Sequence, residues 1–265
     1  MHLLVVGVAG WQLAGEHSWL IFALWAVISG VSLFVLTGLV HEASHRLLTR
    51  SVWLNELAGN LAGWMVLTPL SAYRAFHLKH HQSTNREGDP NAPLNSRWML
   101  GLGAIVYAAL IHRHAWRNLR GRRLGRYVFE MAGMTVFLAA LALLLPRAVR
   151  ERAWLLPIAV VALLQNIRIV TEHLDRPSGR HRDTWQLVLP GWLSRWLLHY
   201  DHHLEHHLRP GLQWHELPRY RAELIASAPE LGVSRVTLWQ YARNVLLRRC
   251  PPSEPATILP AGNLI

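Results

Sequence analysis

The sequence predicts an all-α fold: a multi-pass transmembrane helical bundle with a cytosolic helical cap that holds a metal site. Half of the 265 residues are hydrophobic and only 16% are charged, whereas soluble domains carry about 25% charged residues. Segments 19–40, 127–146 and 153–170 are apolar and long enough to cross a hydrocarbon core of roughly 30 Å. Histidines also recur at spacings of three and four residues, which share one face of a helix.

The remaining apolar segments are shorter. Residues 3–15 either pair with the first span or lie at the membrane interface, and the sequence does not decide between these positions. Segments 57–70 and 98–112 reach only about 21–23 Å as helices, less than a full crossing. We therefore expect both of them to be interfacial or re-entrant, an arrangement that also keeps the histidine motifs on one side of the membrane.

The second and third spans form a hairpin, which leaves the membrane and returns through the loop Arg147–Arg152. In this arrangement Glu130 and Arg168 lie at similar depth near the cytoplasmic face, so we expect them to form an ion pair. Further on, the pattern predicts a helix near 215–227 and an amphipathic helix near 234–249. Residues 1–250 are predicted to form a single domain, and residues 251–265 a loose Pro-rich tail.

The charge is strongly positive. The net charge is +11, and Lys79 is the only lysine among the basic residues. The arginines flank apolar segments instead of forming a basic face on a soluble fold, which argues against nucleic acid and favours anionic lipid or an acidic protein partner. Their densest cluster lies at 113–126 and marks a cytoplasmic loop under the positive-inside rule.

Three histidine motifs carry the chemistry. Box one is His41-Glu-Ala-Ser-His45, box two is His77-Leu-Lys-His80-His81, and box three is His203-Leu-Glu-His206-His207. Imidazole is the commonest metal ligand. Because Cys250 is the only cysteine, a metal here would be bound through nitrogen and oxygen rather than through thiolates.

Box one alone leaves two interpretations open. It matches the H-E-x-x-H motif of zinc proteases, in which Glu42 would be the general base, so an intramembrane zinc protease is one hypothesis. Such an enzyme needs only three protein ligands and a water, and the surplus of histidines argues for two metals instead. Box three also overlaps a second frame, so that His199 and His202 are alternative ligands, while Asp201 and Glu205 could orient the ligating imidazoles.

The boxes resemble those of the membrane fatty acid desaturase and hydroxylase superfamily, which includes carotenoid ketolases. The likeness runs from residue 19 to about 225 and includes Glu172-His173, Asp89-Pro90 after box two and Leu217-Pro218 after box three. It implies a cytosol-facing di-iron centre that uses O₂ to attack an unactivated C–H bond. The nine implied ligands are His41, His45, His77, His80, His81, His173, His203, His206 and His207. The implied supporting residues are Glu42, Asp89 and Glu172, with Asn166 the nearest candidate to hold a metal-bound water.

The function predicted from these observations is an O₂-dependent di-iron oxidoreductase of the cell membrane that desaturates an acyl-lipid chain. The alternative on the same scaffold is a hydroxylase or ketolase of a carotenoid or another long apolar substrate. Since one cysteine cannot build an iron–sulfur cluster, electrons are expected from a separate ferredoxin-like or cytochrome-type donor. Metal analysis separates this hypothesis from the zinc protease, because two irons favour the oxygenase.

Overall fold

The computed structural model describes residues 2–15, 18–173, 184, 186–227, 235–237, 239–240 and 243. The longer helices are α1 (His2–Ala14), α2 (Trp19–Ser44), α3 (Val52–Met65), α4 (Leu70–Ser83), α5 (Met99–Asn118), α6 (Gly121–Leu144) and α8 (Leu156–His173). The shorter ones are α7 (Arg147–Arg150), α9 (Gly191–Trp196), α10 (His203–Leu208) and α11 (Leu217–Ser227). A π-helical turn at Glu151–Leu155 leads into α8. The strands β1 (Gln186–Val188) and β2 (Arg235–Thr237) pair in parallel.

The all-α fold with three apolar spans is confirmed. Within the described residues, three helices are long and apolar enough to cross a membrane: Trp19–Ser44, Gly121–Leu144 and Glu151–Glu172. Many of their large side chains are exposed, among them Phe129 and Leu143 on α6. An apolar helix face without protein cover is what a lipid environment requires.

Helices α3 and α4 form a helical hairpin beside α2. On α3, a Cβ added to Gly59 would lie 2.5 Å from the Cβ of Ala43, near the end of α2. Helix α3 then runs back along α2, so that Gly63 lies beside Val40, and α4 returns to the end of α2 where box one lies. Boxes one and two therefore meet at one end of the bundle, here called the histidine end. The re-entrant position of 57–70 in a membrane stays a prediction.

Helix α5 is longer than the predicted segment 98–112, but it is not among the three candidate spans. It packs against α8 through Asn166, whose side chain accepts from the Ala104 amide at 2.5 Å and donates to the Leu100 carbonyl at 3.0 Å. Helix α1 packs along α2, as one of the two alternatives for residues 3–15 requires.

The predicted ion pair between Glu130 and Arg168 was wrong. Arg168 pairs with Glu172, with Nε and Oε1 2.5 Å apart, whereas Glu130 accepts from the backbone amide of Ser71 and lies near Arg126. An arginine reaches a glutamate one helical turn away on its own helix more easily than one on another helix at a matching depth. The amphipathic helix expected near 234–249 does not begin at 234, because Arg235–Thr237 form β2, but the described residues 239, 240 and 243 are helical. Most of that segment, like the predicted tail, lies outside the described residues.

Candidate metal centre

Eight of the nine predicted ligands lie together as two groups of buried or half-buried histidines. The first, the five-histidine group, consists of His41, His45, His77, His81 and His206. The second, the three-histidine group, consists of His80, His203 and His207. Within each group, one ligand atom per residue lies within 4.8 Å of all the others. The side chain of His173, at the end of α8, lies outside the described part of the structure.

The two groups draw on the boxes in an interleaved way. Box two gives His77 and His81 to the five-histidine group and His80 to the other, while box three gives His206 to the first and His203 with His207 to the second. On a helix, positions i and i+4 differ by about 40° in direction, whereas i+3 points about 60° to the other side of i. Each H-x-x-H-H box therefore divides its ligands between two neighbouring positions.

The nitrogen–nitrogen distances fit coordination of a shared ion. The Nε2 atoms of His45 and His77 are 3.0 Å apart, those of His77 and His81 are 3.0 Å apart, and those of His81 and His206 are 2.9 Å apart. With a metal–nitrogen distance of about 2.1 Å, two ligands at a right angle lie about 3.0 Å apart, and tetrahedral ligands about 3.4 Å apart. The spacing therefore allows neighbouring imidazoles of this group to bind one ion. Moreover, the Nε2 atom of His41 is buried and has no hydrogen-bond partner among the described residues.

Burial keeps these imidazoles neutral, which is the form that binds metal. Burial lowers the pKa of His45 to about 4, with a further contribution from the Arg74 charge. The pKa values of His77 and His206 also lie well below the ordinary value, first because of burial and then because of the neighbouring histidines. The ligand atoms therefore need not lose a proton to accept a cation at neutral pH.

Three predicted supporting carboxylates each lie beside one imidazole. Asp89 contacts Nδ1 of His80 at 2.9 Å, and both residues are buried. Glu172 lies 3.6 Å from Nδ1 of His203, and Glu42 lies 3.5 Å from Nδ1 of His41. A carboxylate at Nδ1 fixes the orientation of the ring and directs Nε2 toward a metal.

Several residues that hold box one were not found by the sequence reasoning. Arg74 donates to the carbonyls of Ala43 and Ser44 at 2.7 and 3.1 Å, and it forms a two-pronged ion pair with Glu56. Asn55, fully buried, also donates to the Ala43 carbonyl. These bonds satisfy the orphan carbonyls at the end of α2. Nothing in the local sequence marks them, because their partners are 12 to 31 residues away.

Box three is held by a buried arginine that the sequence also did not single out. Arg221 on α11 donates from Nε to Glu205 at 2.7 Å and from Nη2 to the Asp201 carbonyl at 2.8 Å. The alternative ligands His199 and His202 form a separate group with Asp201. Because Arg221 also lies 3.5 Å from the Asp201 carboxylate, this third group is already charge-compensated by a cation. Asn166, with both of its amide atoms bonded to α5, lies against that helix.

Two apolar cavities approach the histidine groups. The α5 cavity, of about 340 Å³, lies between α2, α4, α5 and α8, with Val40, Ile111 and Val161 among its lining residues. The α9 cavity, of about 310 Å³, lies between α2, α8 and α9 and reaches His203. Arg168 lines both cavities.

Comparison with known proteins gives a consistent result. The chain is 28% identical over 82 residues to an sn-1 acyl-lipid omega-3 desaturase (ferredoxin) of Nostoc sp. (strain 36), a segment that is 31% of this chain and 23% of the relative. It is 28% identical over 92 residues to an sn-1 oleoyl-lipid 12-desaturase of Arthrospira platensis, covering 35% of this chain and 26% of the relative. The aligned segments thus span about a quarter of these curated relatives. The fatty acid desaturase model, by contrast, matches residues 17–239, and the chain therefore belongs to the fatty acid desaturase family.

Proposed function

We propose that this chain is an O₂-dependent di-iron membrane oxidoreductase that desaturates an acyl chain of a lipid. The observation that carries the proposal is the pair of histidine groups, which offers two adjacent nitrogen-rich positions at one end of a transmembrane bundle. Imidazole ligation with open positions suits iron and oxygen activation. The names of the acyl-lipid relatives support the lipid substrate.

In this proposal each histidine group holds one iron, and His173 completes the three-histidine group. When bound, the iron pair would supply the oxidising power needed to remove hydrogen from an unactivated C–H bond. Asp89, Glu172 and Glu42 orient the imidazoles. The apolar walls of the α5 cavity exclude water and align a long chain beside the histidine end.

The zinc protease hypothesis fits the site less well. His41 and His45 share their group with three further histidines, and Glu42 accepts from the backbone amide of Trp214 at 3.3 Å. A protease of this type would instead keep its glutamate beside a metal-bound water. The surplus ligands and the family membership both favour the oxidoreductase.

The histidine end is proposed to face the cytoplasm. The arginines at the α5–α6 corner lie at this end and are exposed: Arg113, Arg117, Arg120, Arg122, Arg123 and Arg126. The opposite end, where α6 meets α8, carries Arg147, Arg150 and Arg152, and Glu151 pairs with Arg147. The larger positive charge at the histidine end gives the orientation under the positive-inside rule.

The same corner is proposed to bind a separate ferredoxin-like electron donor. The ring of His114 on α5 lies 5.8 Å from that of Phe76, the residue before His77, so a docked donor would lie near the five-histidine group. Acidic donors are steered by a basic surface, and the attraction weakens with salt. A cytochrome-type donor would meet the same surface.

Charge reversal tests the docking surface. Arg117→Glu with Arg123→Glu should slow reduction by an acidic ferredoxin about tenfold or more at low salt, whereas reduction by dithionite should be unchanged. Arg147→Glu, at the opposite end, is the matched control. Equal effects of both charge reversals on the ferredoxin reaction would contradict the assignment.

The function itself is tested by metal analysis together with lipid profiling. Purified protein should contain two irons per chain, and a host that expresses it with a ferredoxin should accumulate new double bonds in its acyl lipids. His206→Ala should remove both the iron and the product. An active, metal-replete His206→Ala protein, or a protein with one zinc and no lipid product, would refute the proposal. Hydroxylated lipids in place of new double bonds would shift the assignment to a hydroxylase.

A further inference from the structure

The α5 cavity is apolar along most of its wall but polar where it approaches the histidine groups. Tyr73 of α4 and Gln165 and Arg168 of α8 line it there. The ring of Tyr73 stacks on that of His77 with centroids 5.2 Å apart. Arg168 is linked to the other group through Glu172, which contacts His203. The polar end is therefore one side-chain layer from both histidine groups.

Two of these polar side chains carry buried oxygen atoms that lack a good hydrogen bond within the described residues. Oε1 of Gln165 has no partner there, and the Tyr73 hydroxyl has only a poorly aligned neighbour, Tyr107, which lines the same cavity. Leaving a buried polar group unpaired is unfavourable, so such groups call for a physical reason. Both atoms belong to side chains that line the same cavity, and a bound polar group would satisfy them.

The third side chain, Arg168, has donors to spare. Its Nε donates to Glu172 at 2.5 Å, and its guanidinium lies 4.3 Å from the ring centroid of Tyr200. Its Nη1 and Nη2 atoms make no hydrogen bond to the described residues. A guanidinium offers five N–H donors, so this cation, which is 12% exposed, can still bind an acceptor in the cavity.

We propose that the polar end of the α5 cavity binds a neutral oxygen of the substrate, a carbonyl or hydroxyl carried by a long apolar chain. Tyr73 and Arg168 donate to this oxygen, and the chain beyond it fills the apolar part of the cavity. The C–H bond that is attacked then lies close to the oxygen-bearing end of the substrate. This inference rests on the proposed function and narrows its substrate class.

The charge balance selects a neutral oxygen over a carboxylate. Glu172 already compensates Arg168, so a free carboxylate would bring a second anion to one buried cation and leave one desolvated negative charge without a partner. An ester carbonyl or a hydroxyl brings no such charge. An ester carbonyl and a hydroxyl would interact differently with Gln165, because only a hydroxyl can donate a hydrogen bond to its Oε1.

The test measures binding without turnover. Three labelled probes with sixteen-carbon chains are used: hexadecane, methyl hexadecanoate and hexadecan-1-ol. Each probe is bound to the iron-loaded protein in the absence of O₂ and electron donor, and the affinity of each variant is compared with that of the unmodified protein for the same probe. Tyr73→Phe should weaken binding of the ester and the alcohol about threefold to tenfold, the effect of one hydrogen bond, and leave hexadecane unchanged. Gln165→Leu should weaken only the alcohol if a hydroxyl is the natural group, and neither probe if it is a carbonyl.

Tyr127→Phe is the matched control. The Tyr127 hydroxyl is bonded to His112 at 2.7 Å and does not line the cavity, so this variant should lose some thermal stability and keep the binding pattern. Tyr73→Phe should lose less thermal stability than Tyr127→Phe, because the Tyr73 hydroxyl makes no hydrogen bond of good geometry within the described residues. If Tyr73→Phe nevertheless does not fold, Arg168→Gln combined with Glu172→Gln keeps the charge balance and should weaken the ester and alcohol probes.

Unchanged binding of all three probes in Tyr73→Phe, or an equal loss for hexadecane, would overturn the inference. The outcome is separable from the proposed function. If the protein desaturates lipids but binds the probes without this pattern, only the oxygen-binding site is refuted. If it shows the pattern but makes no lipid product, only the desaturase assignment is refuted.

Discussion

Asp89→Asn should weaken metal binding at the three-histidine group while leaving the fold intact. The Asp89 carboxylate accepts from the amides of Asn85 and Asn91, each at 2.8 Å, and contacts Nδ1 of His80 at 2.9 Å. An asparagine has one acceptor oxygen in place of two. Its NH₂ group must therefore face either the imidazole N–H or a backbone N–H, and one charge-assisted hydrogen bond is lost.

The magnitude follows from that count. A hydrogen bond to a charged group contributes about 1.5–3 kcal/mol, which corresponds to a loss in metal affinity of about tenfold to a hundredfold, the range typical for residues that orient a ligating histidine. Competition with a chelator on the purified protein measures this directly. Two irons per chain with unchanged chelator resistance in Asp89→Asn would refute the reasoning. Glu87→Gln makes the same charge change at an exposed position in the same loop and should have no effect.

Three further outcomes are expected. Gly30→Ala should lower the free energy of unfolding by about 1–3 kcal/mol, because the added Cβ would lie 2.4 Å from the Cβ of a facing valine on α8. In the control Gly101→Ala, the added Cβ meets nothing within 4 Å. Equal melting temperatures for the two variants would contradict this packing. Arg221→Leu leaves two buried carboxylates uncompensated and should lower the free energy of unfolding by about 3–5 kcal/mol. Arg219→Leu, at an exposed position, should change the free energy of unfolding little, and chemical denaturation measures both variants. The pKa of His45 is lowered to about 4 in the folded protein, so the metal-free protein should lose stability as pH falls from about 6.5 to about 4. The metal-loaded protein should retain its metal down to about pH 5, and loss of half of the metal at pH 6.5 would contradict this.

The sequence predicted the spans and the clustering of the histidines more readily than the pairing of particular side chains. Hydropathy and length define a membrane helix locally, so the three spans were accessible from composition alone. The pairing of Arg168 was predicted from depth, but depth does not give the direction in which a side chain points. The i,i+4 spacing of Arg168 and Glu172 was a better signal, and it is present in the sequence.

The division of the boxes between two groups was a harder problem. The helical offsets within box two show that His80 points away from His77 and His81. Which histidines of box three lie beside each of them depends on how α4 and α10 pack. Likewise, the contacts of Arg74 and Arg221 join residues on different helices. Asp89 was accessible through the family resemblance, because Asp89-Pro90 follows box two in the segment after α4.

The interleaving of the boxes has a consequence for how the centre assembles. Each group takes ligands from both α4 and α10, so one ion bound in either position ties these two helices together. If each group holds one ion, as proposed, the first ion fixes the approach of α4 and α10, and a second ion then meets ligands already in place. The two proposed ions should therefore be taken up cooperatively, and the half-loaded protein should be scarce at equilibrium.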